Sequence, residues 1–170
     1  MDAIDKLRWT EEIRALKARY FRLQDTKQWQ RYAELFLEDT VFDVTEAFSD
    51  PGSPAVGNLA AAVQKPIIGR KAIVDYVSRG LNERVRSFHE GFMPEIEILS
   101  QVGARAVWPM EDRVWLADGP VALMHGWGHY HETYTRSDER WHIQSLRLTR
   151  IRLELTARDA EGPFNTRGTR

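Results

Sequence analysis

The sequence contains no cysteine. Without a thiol, disulfide bridges, thiol catalysis and cysteine-ligated zinc sites are excluded. The net charge is only −1, so no overall basic field would attract nucleic acid or a membrane surface. No apolar run reaches the roughly 20 residues of a membrane span, and the charged first six residues are not followed by the apolar segment of a signal peptide. We therefore expect a cytoplasmic protein without nucleic-acid or membrane partners.

The chain does have the composition of one ordinary globular domain. It has 170 residues, of which 42% are hydrophobic and 29% are charged. Six Trp, five Tyr and seven Phe form a rich aromatic supply. Aromatic side chains fill large cores and also line apolar ligand pockets.

The N-terminal part is predicted to be helical. One helical face is marked by spacings of four, three, four and three residues, at Trp9, Ile13, Leu16, Tyr20 and Leu23. A second short helix with apolar side chains from Trp29 to Phe36 should follow, and residues 40–44 alternate as in a β-strand.

The rest of the chain favours a sheet. Residues 49–64 are rich in Pro, Gly, Ala and Ser, and we interpret them as a long loop over a pocket mouth. A helix is predicted over residues 71–81. Strands are predicted over residues 88–98, 104–116, 121–136 and 141–155. This order indicates an α+β fold in which a curved antiparallel sheet wraps around the N-terminal helices as a cone-shaped barrel. The predicted domain covers residues 5–155, and residues 156–170 form a C-terminal tail.

Three segments carry a family resemblance. They are residues 14–39, the hairpin Tyr-Thr-Arg-Ser-Asp-Glu-Arg-Trp-His-Ile at 134–143, and Arg-Leu-Thr-Arg-Ile-Arg at 147–152. With the element order, they resemble the SnoaL-like branch of the NTF2-like superfamily. The resemblance implies the cone-shaped fold and assembly as a homodimer or homotrimer. It does not fix the function, because this fold hosts dehydratases, isomerases, dehydrochlorinases, cyclases and binding modules.

One constellation resembles the branch of bile-acid 7α-dehydratase and scytalone dehydratase. Tyr20 and Asp25 are five residues apart, and Asp112 follows His89 by 23 residues. An arginine near the end of the last strand completes the pattern. Arg150 and Arg152 both qualify, and because they are two apart on a predicted strand we expect them to point the same way.

The resemblance implies a role for each of these residues. His89 would be the general base, since an imidazole titrates near pH 6.5, and Asp25 would orient it. Tyr20 would stabilise the developing enolate. Asp112 would bind a substrate hydroxyl, and Arg150 would hold an anionic or carbonyl group. The implied function is a cofactor-independent lyase of the dehydratase type, with no metal and no organic cofactor. Its implied partner is a small hydrophobic organic substrate, a cyclic carbonyl compound.

Other interpretations remain open. An isomerase of the ketosteroid type would use the same base without a leaving group. A non-catalytic ligand-binding or accessory module, or a small subunit of a larger oxygenase, would share the fold. Tyr20 could simply be core and Asp25 a helix cap. Convergence of Tyr20, Asp25 and His89 at one cavity would favour an enzyme.

His125, His129 and His131 are candidates for metal ligands because they recur along one predicted strand. His129 and His131 should lie on one face of a strand, as ligands often do, but Glu132 follows at once and points to the other face. We therefore expect no metal site. Trp127 shares their face, which indicates an outer sheet surface that packs on a neighbouring copy.

Overall fold

The computed structural model describes residues 1–52 and 63–158. The helices within these two ranges are α1 (Ala3–Asp25), α2 (Trp29–Ala33) and α3 (Arg70–Gly80). The strands within them are β1 (Phe36–Asp43), β2 (Ile67–Ile68), β3 (Val85–Gly91), β4 (Glu95–Ile98), β5 (Gly103–Leu116), β6 (Val121–Ser137) and β7 (Arg140–Ala157). The α+β class predicted from the sequence is confirmed.

Helix α1 begins where its sequence can cap it. The side chain of Asp2 accepts a hydrogen bond from the backbone N–H of Asp5 at 2.7 Å, which satisfies one of the free donors of the first turn. The predicted apolar face is confirmed, because its five members are all buried: Trp9, Ile13, Leu16, Tyr20 and Leu23. This face packs against the concave side of the sheet as the centre of the core.

The sheet is mixed and open, which corrects the expectation of an antiparallel barrel. Its strand order is β2-β1-β7-β6-β5-β3, with β4 also paired to β5. Strands β5, β6 and β7 are joined by short turns and are therefore antiparallel. Strand β1 instead pairs in parallel with β7, since about a hundred residues separate the two strands and allow a crossover.

The prediction of one strand over residues 88–98 was wrong. The segment forms β3 and β4, which pair with different parts of β5. Pro94 lies between them, and a proline cannot donate to the ladder. Strand β1 also begins earlier than predicted, at Phe36, which had been assigned to the second helix.

Strand β6 shows how the sheet separates two faces. Its even-numbered residues from Met124 to Tyr134 are buried against the helices, whereas Trp127 and the other odd-numbered residues lie on the outer face. Within residues 1–52 and 63–158, no helix combines the length and the apolar character needed to cross a membrane.

Candidate active site

A cavity of about 480 Å³ lies between the helices and the inner face of the sheet. Four of the predicted site residues line it: Tyr20, His89, Asp112 and Arg150. The fifth, Asp25, lies behind His89 at the end of α1. Much of the remaining wall is apolar, with contributions from Phe42, Val44, Leu116, Met124 and Leu148. Such a lining suits a largely hydrophobic ligand with a few polar groups.

Asp25 and His89 form a tightly held pair. Nδ1 of His89 lies 2.6 Å from Oδ1 of Asp25, and the backbone N–H of His89 donates to Oδ2 at 2.8 Å. Ser87 donates its hydroxyl to Oδ1 at 2.7 Å. Because Asp25 accepts at Nδ1, the neutral ring carries its proton there and leaves Nε2 as the acceptor. Asp25 is thus an orienting group for the ring rather than the cap of α2.

The strand register brings His89 to Asp112. The two residues are direct cross-strand partners on β3 and β5, so both side chains project from the same, inner face. His89 is 9% exposed and Asp112 is 5% exposed. The 23-residue spacing noted in the sequence therefore corresponds to adjacent positions in the sheet.

Asp112 forms a buried two-point ion pair with Arg150. Nη1 and Nη2 of Arg150 donate to Oδ1 and Oδ2 at 3.1 and 2.8 Å, and Nε donates to the carbonyl of Ala47 at 2.8 Å. This planar fork matches a carboxylate and fixes its orientation. Arg150 consequently holds Asp112 in place, whereas Asp112 retains lone pairs that a substrate hydroxyl could use.

The expectation that Arg150 and Arg152 point the same way was wrong. The register between β6 and β7 shifts between two successive pairs, Trp127 with Arg152 and Gly128 with Arg150. This β-bulge gives β7 one extra residue, Ile151, and interrupts the alternation of faces. Arg150 is buried, whereas Arg152 is exposed and pairs with a neighbouring glutamate.

A glycine makes room for the ion pair. Gly126 lies opposite Asp112 in the sheet, and a Cβ placed on it would approach Nη1 of Arg150 to 2.3 Å and Oδ1 of Asp112 to 2.6 Å. Any side chain at this position would have to displace the pair.

A group of buried tyrosines forms another part of the wall. The hydroxyl of Tyr20 hydrogen-bonds with the hydroxyls of Tyr32 and Tyr130. The hydroxyl of Tyr32 donates to Oε1 of Gln24 at 3.0 Å. Burial raises the pKa values of Tyr20, Tyr32 and Tyr130 well above the ordinary value near 10. These phenols are therefore neutral donors at physiological pH.

Tyr130 and Lys17 were missed by the sequence analysis. Tyr130 lines the cavity, and its even-numbered position on β6 is the signal that could have placed it inside. Lys17 is fully buried and forms an ion pair with Glu132, which also accepts a hydrogen bond from Tyr134. No local sequence pattern predicts that Lys17 is buried, because its partner Glu132 is 115 residues away in the sequence.

The other histidines lie away from the cavity. Nε2 of His125 is 2.6 Å from Glu111, and Nε2 of His131 is 3.1 Å from Oγ1 of Thr149, both on the outer sheet face. In the part of the chain that the structure describes, no three His, Asp or Glu residues lie close enough together to hold a metal ion. Of the loop predicted over residues 49–64, positions 53–62 lie outside the described residues.

Comparison with solved structures shows the same fold in proteins of several activities. A protein from Novosphingobium aromaticivorans, provisionally assigned as a scytalone dehydratase, matches with a TM-score of 0.73 and 16% identity, over 96% of this chain and 98% of that chain. A hexachlorocyclohexane dehydrochlorinase from Novosphingobium barchaimii matches with a TM-score of 0.70 and 17% identity, over 95% and 97% of the two chains.

Comparison of sequences gives a consistent result. A protein from Gibberella zeae that is provisionally assigned as a cyclase is 25% identical over 150 residues, which span 82% of this chain and 89% of that protein. Residues 5–147 match the SnoaL-like domain family. The chain therefore belongs to the SnoaL-like domain family.

Proposed function

We propose that this protein is a cofactor-independent lyase of the dehydratase type, acting on a small hydrophobic cyclic carbonyl compound. The observation that carries the proposal is the 2.6 Å contact between His89 and Asp25 at the wall of a largely apolar cavity. An oriented imidazole with a free Nε2 is suited to abstract a proton, and such general-base catalysis is worth roughly 10²–10⁴-fold.

The proposed reaction begins with proton abstraction beside the carbonyl group. Nε2 of His89 takes the proton, and the carboxylate of Asp25 stabilises the resulting imidazolium. The electron pair moves to the carbonyl oxygen, where a neutral phenol donates a hydrogen bond to the enolate. We assign this role to Tyr130 in place of Tyr20, because both tyrosines line the cavity but the hydroxyl of Tyr20 already hydrogen-bonds with those of Tyr32 and Tyr130.

Loss of water completes the proposed reaction. Asp112 accepts a hydrogen bond from the hydroxyl on the β-carbon, and its own orientation is fixed by Arg150. The enolate expels this hydroxyl as the C–O bond breaks, and the imidazolium of His89 returns its proton to form water. The products are an α,β-unsaturated carbonyl compound and water, and the imidazole is regenerated.

An isomerase or cyclase is the second candidate. Both can use the same proton abstraction and the same oxyanion donor without losing water. The relative provisionally assigned as a cyclase, at 25% identity over 82% of this chain, favours keeping this alternative.

The test is a screen of cyclic β-hydroxy ketones, followed by the ultraviolet absorbance of the conjugated product. Wild-type protein should form the product, and His89→Gln should be slower by about 10²–10⁴-fold. His125→Gln, on the outer face, is the matched control and should keep full activity. Exchange of α-hydrogen with solvent without a conjugated product would favour the isomerase. An equal rate in wild type and His89→Gln would refute the proposed base.

A further inference from the structure

Lys17 is a buried charged residue beside the cavity tyrosines, and it has no part in the proposed reaction. Its side chain is 1% exposed, and its ammonium lies over three aromatic rings. The distance from Nζ to the ring centroid is 3.7 Å for Tyr130, 4.1 Å for Tyr20 and 4.7 Å for Phe21. A cation this close to the face of a ring interacts strongly with it when both are shielded from water.

The charge of Lys17 is maintained by one partner. Its ammonium pairs with the carboxylate of Glu132, whose side chain is fully buried, and Glu132 also accepts a hydrogen bond from Tyr134. Trp108 donates to the hydroxyl of Tyr134 at 2.9 Å and extends the network. Such a buried pair is weak evidence for stability, because apolar side chains of similar volume often replace one without loss. Its place beneath the cavity wall therefore calls for another explanation.

Tyr130 connects this network to the cavity. Its ring is in contact with the ammonium of Lys17, Tyr130 itself lines the cavity, and its hydroxyl hydrogen-bonds with that of Tyr20. A positive charge held against the ring withdraws electron density from the phenol and stabilises negative charge near its oxygen. It thereby opposes the carboxylate of Glu132, whose charge adds to the effect of burial in raising the pKa of Tyr130. The O–H group of Tyr130 becomes a better hydrogen-bond donor as a result.

We infer that Lys17 is a positioning residue for the oxyanion site: its buried ammonium lies against the ring of Tyr130 and strengthens the hydrogen bond that Tyr130 donates to an enolate oxygen. Lys17 has no direct access to the substrate, because it is fully buried and lies outside the lining of the cavity. The inference rests on the proposed function, since it assigns Tyr130 as the donor to the oxyanion.

A suitable probe is 2-naphthol, because its neutral and ionised forms have distinct fluorescence and because it mimics an enolate when ionised. We expect wild-type protein to bind naphtholate in preference to neutral naphthol at pH 7, and Tyr130→Phe to lose that preference. The double variant Lys17→Met/Glu132→Gln removes both charges, so that no carboxylate is left buried without its partner. It should lower the preference for naphtholate about tenfold while binding of naphthalene stays unchanged.

The matched control is Lys71→Met, which makes the same substitution at an exposed lysine of α3. It should leave the preference unchanged. If Lys17→Met/Glu132→Gln folds and keeps the wild-type preference, the inference about Lys17 is overturned while the oxyanion site stands. If Tyr130→Phe keeps the preference, Tyr130 is not the donor and the inference also fails. If the wild-type protein shows no preference for naphtholate, the oxyanion site of the proposed function fails, and the inference fails with it.

Discussion

Two histidine–carboxylate pairs with the same contact distance, one through Nδ1 and one through Nε2, lie on opposite faces of the same sheet. His89 and Asp25 are 2.6 Å apart on the inner side, and His125 and Glu111 are 2.6 Å apart on the outer side. The inner pair borders a largely apolar cavity, whereas the outer pair is partly exposed and its imidazole stacks on Trp127 with ring centroids 3.8 Å apart. A His–carboxylate contact therefore becomes a candidate site only when the other ring nitrogen faces a cavity that can hold a substrate.

The largest expected difference between the two pairs is in activity. Asp25→Asn should keep the size of the side chain but should disturb the orientation and tautomer of His89, and should lower the rate about 10²–10⁴-fold. Glu111→Gln makes the equivalent change in the outer pair and should leave the rate within about twofold. Steady-state rates on the same β-hydroxy ketone measure both effects, and equal losses would remove the distinction between the faces.

A smaller effect is expected from the packing of the inner face. Gly126→Ala would place a methyl group against Arg150 and Asp112 and should lower the free energy of unfolding by about 1–3 kcal/mol. Gly80→Ala, where no atom lies within 4 Å of the added Cβ, should change the stability by less than about 1 kcal/mol. Urea denaturation measures both, and an unchanged stability in Gly126→Ala would mean that the ion pair relocates freely.

The inner face should also show its own pH dependence of stability. Burial, opposed by the charge and hydrogen bond of Glu132, lowers the pKa of Lys17 to about 8. Between about pH 8 and pH 10, the unfolded chain holds more protons at this lysine than the folded chain, so its contribution to the free energy of unfolding rises with pH.

The matched comparison is Lys17→Met/Glu132→Gln, which lacks this titration. The buried tyrosines lower the stability above about pH 10 in both proteins, because they keep their protons only when folded. The stability of wild type minus that of the variant should therefore rise from pH 8 to pH 10 in urea denaturation. A flat difference would show that Lys17 titrates normally.

The outer pair should give the smallest effect. A hydrogen bond with His125 lowers the pKa of Glu111. The stabilisation is therefore present above the ordinary value near 4.5 and is lost as the pH falls through the folded pKa. Because both side chains are partly exposed, the loss should be small. The free energy of unfolding of Glu111→Gln should decline less between pH 5 and pH 3 than that of wild type, and equal declines would contradict the assignment.

Local pattern was enough to predict the helices and most strands, and family spacing was enough to select the candidate residues. The repeated spacing of apolar residues predicted the buried face of α1, which the structure confirms. The 23-residue separation of His89 and Asp112 is explained by the structure, because the register of β3 and β5 places the two residues directly opposite each other. The roles of these residues remain predictions.

What the sequence could not show depends on long-range pairing. The bulge that turns Arg150 inward and Arg152 outward arises where β7 meets β6, and no residue type marks it in advance. The parallel pairing of β1 with β7 is likewise a tertiary contact. Lys17 looks like an ordinary polar residue of a helix, because only the folded chain brings Glu132 to it.

The most direct test of the central claim is hydrogen exchange at carbon, because it requires only the base and the oxyanion donor. A cyclic ketone such as 2-decalone would be incubated in deuterated water with wild type, His89→Gln or His125→Gln, and deuterium at the α-carbon would be measured by mass spectrometry. We predict rapid incorporation with wild type and with His125→Gln, and a rate about 10²–10⁴-fold lower with His89→Gln. Equal incorporation with wild type and His89→Gln, or none above the protein-free rate with wild type, would contradict the assignment of His89 as the catalytic base.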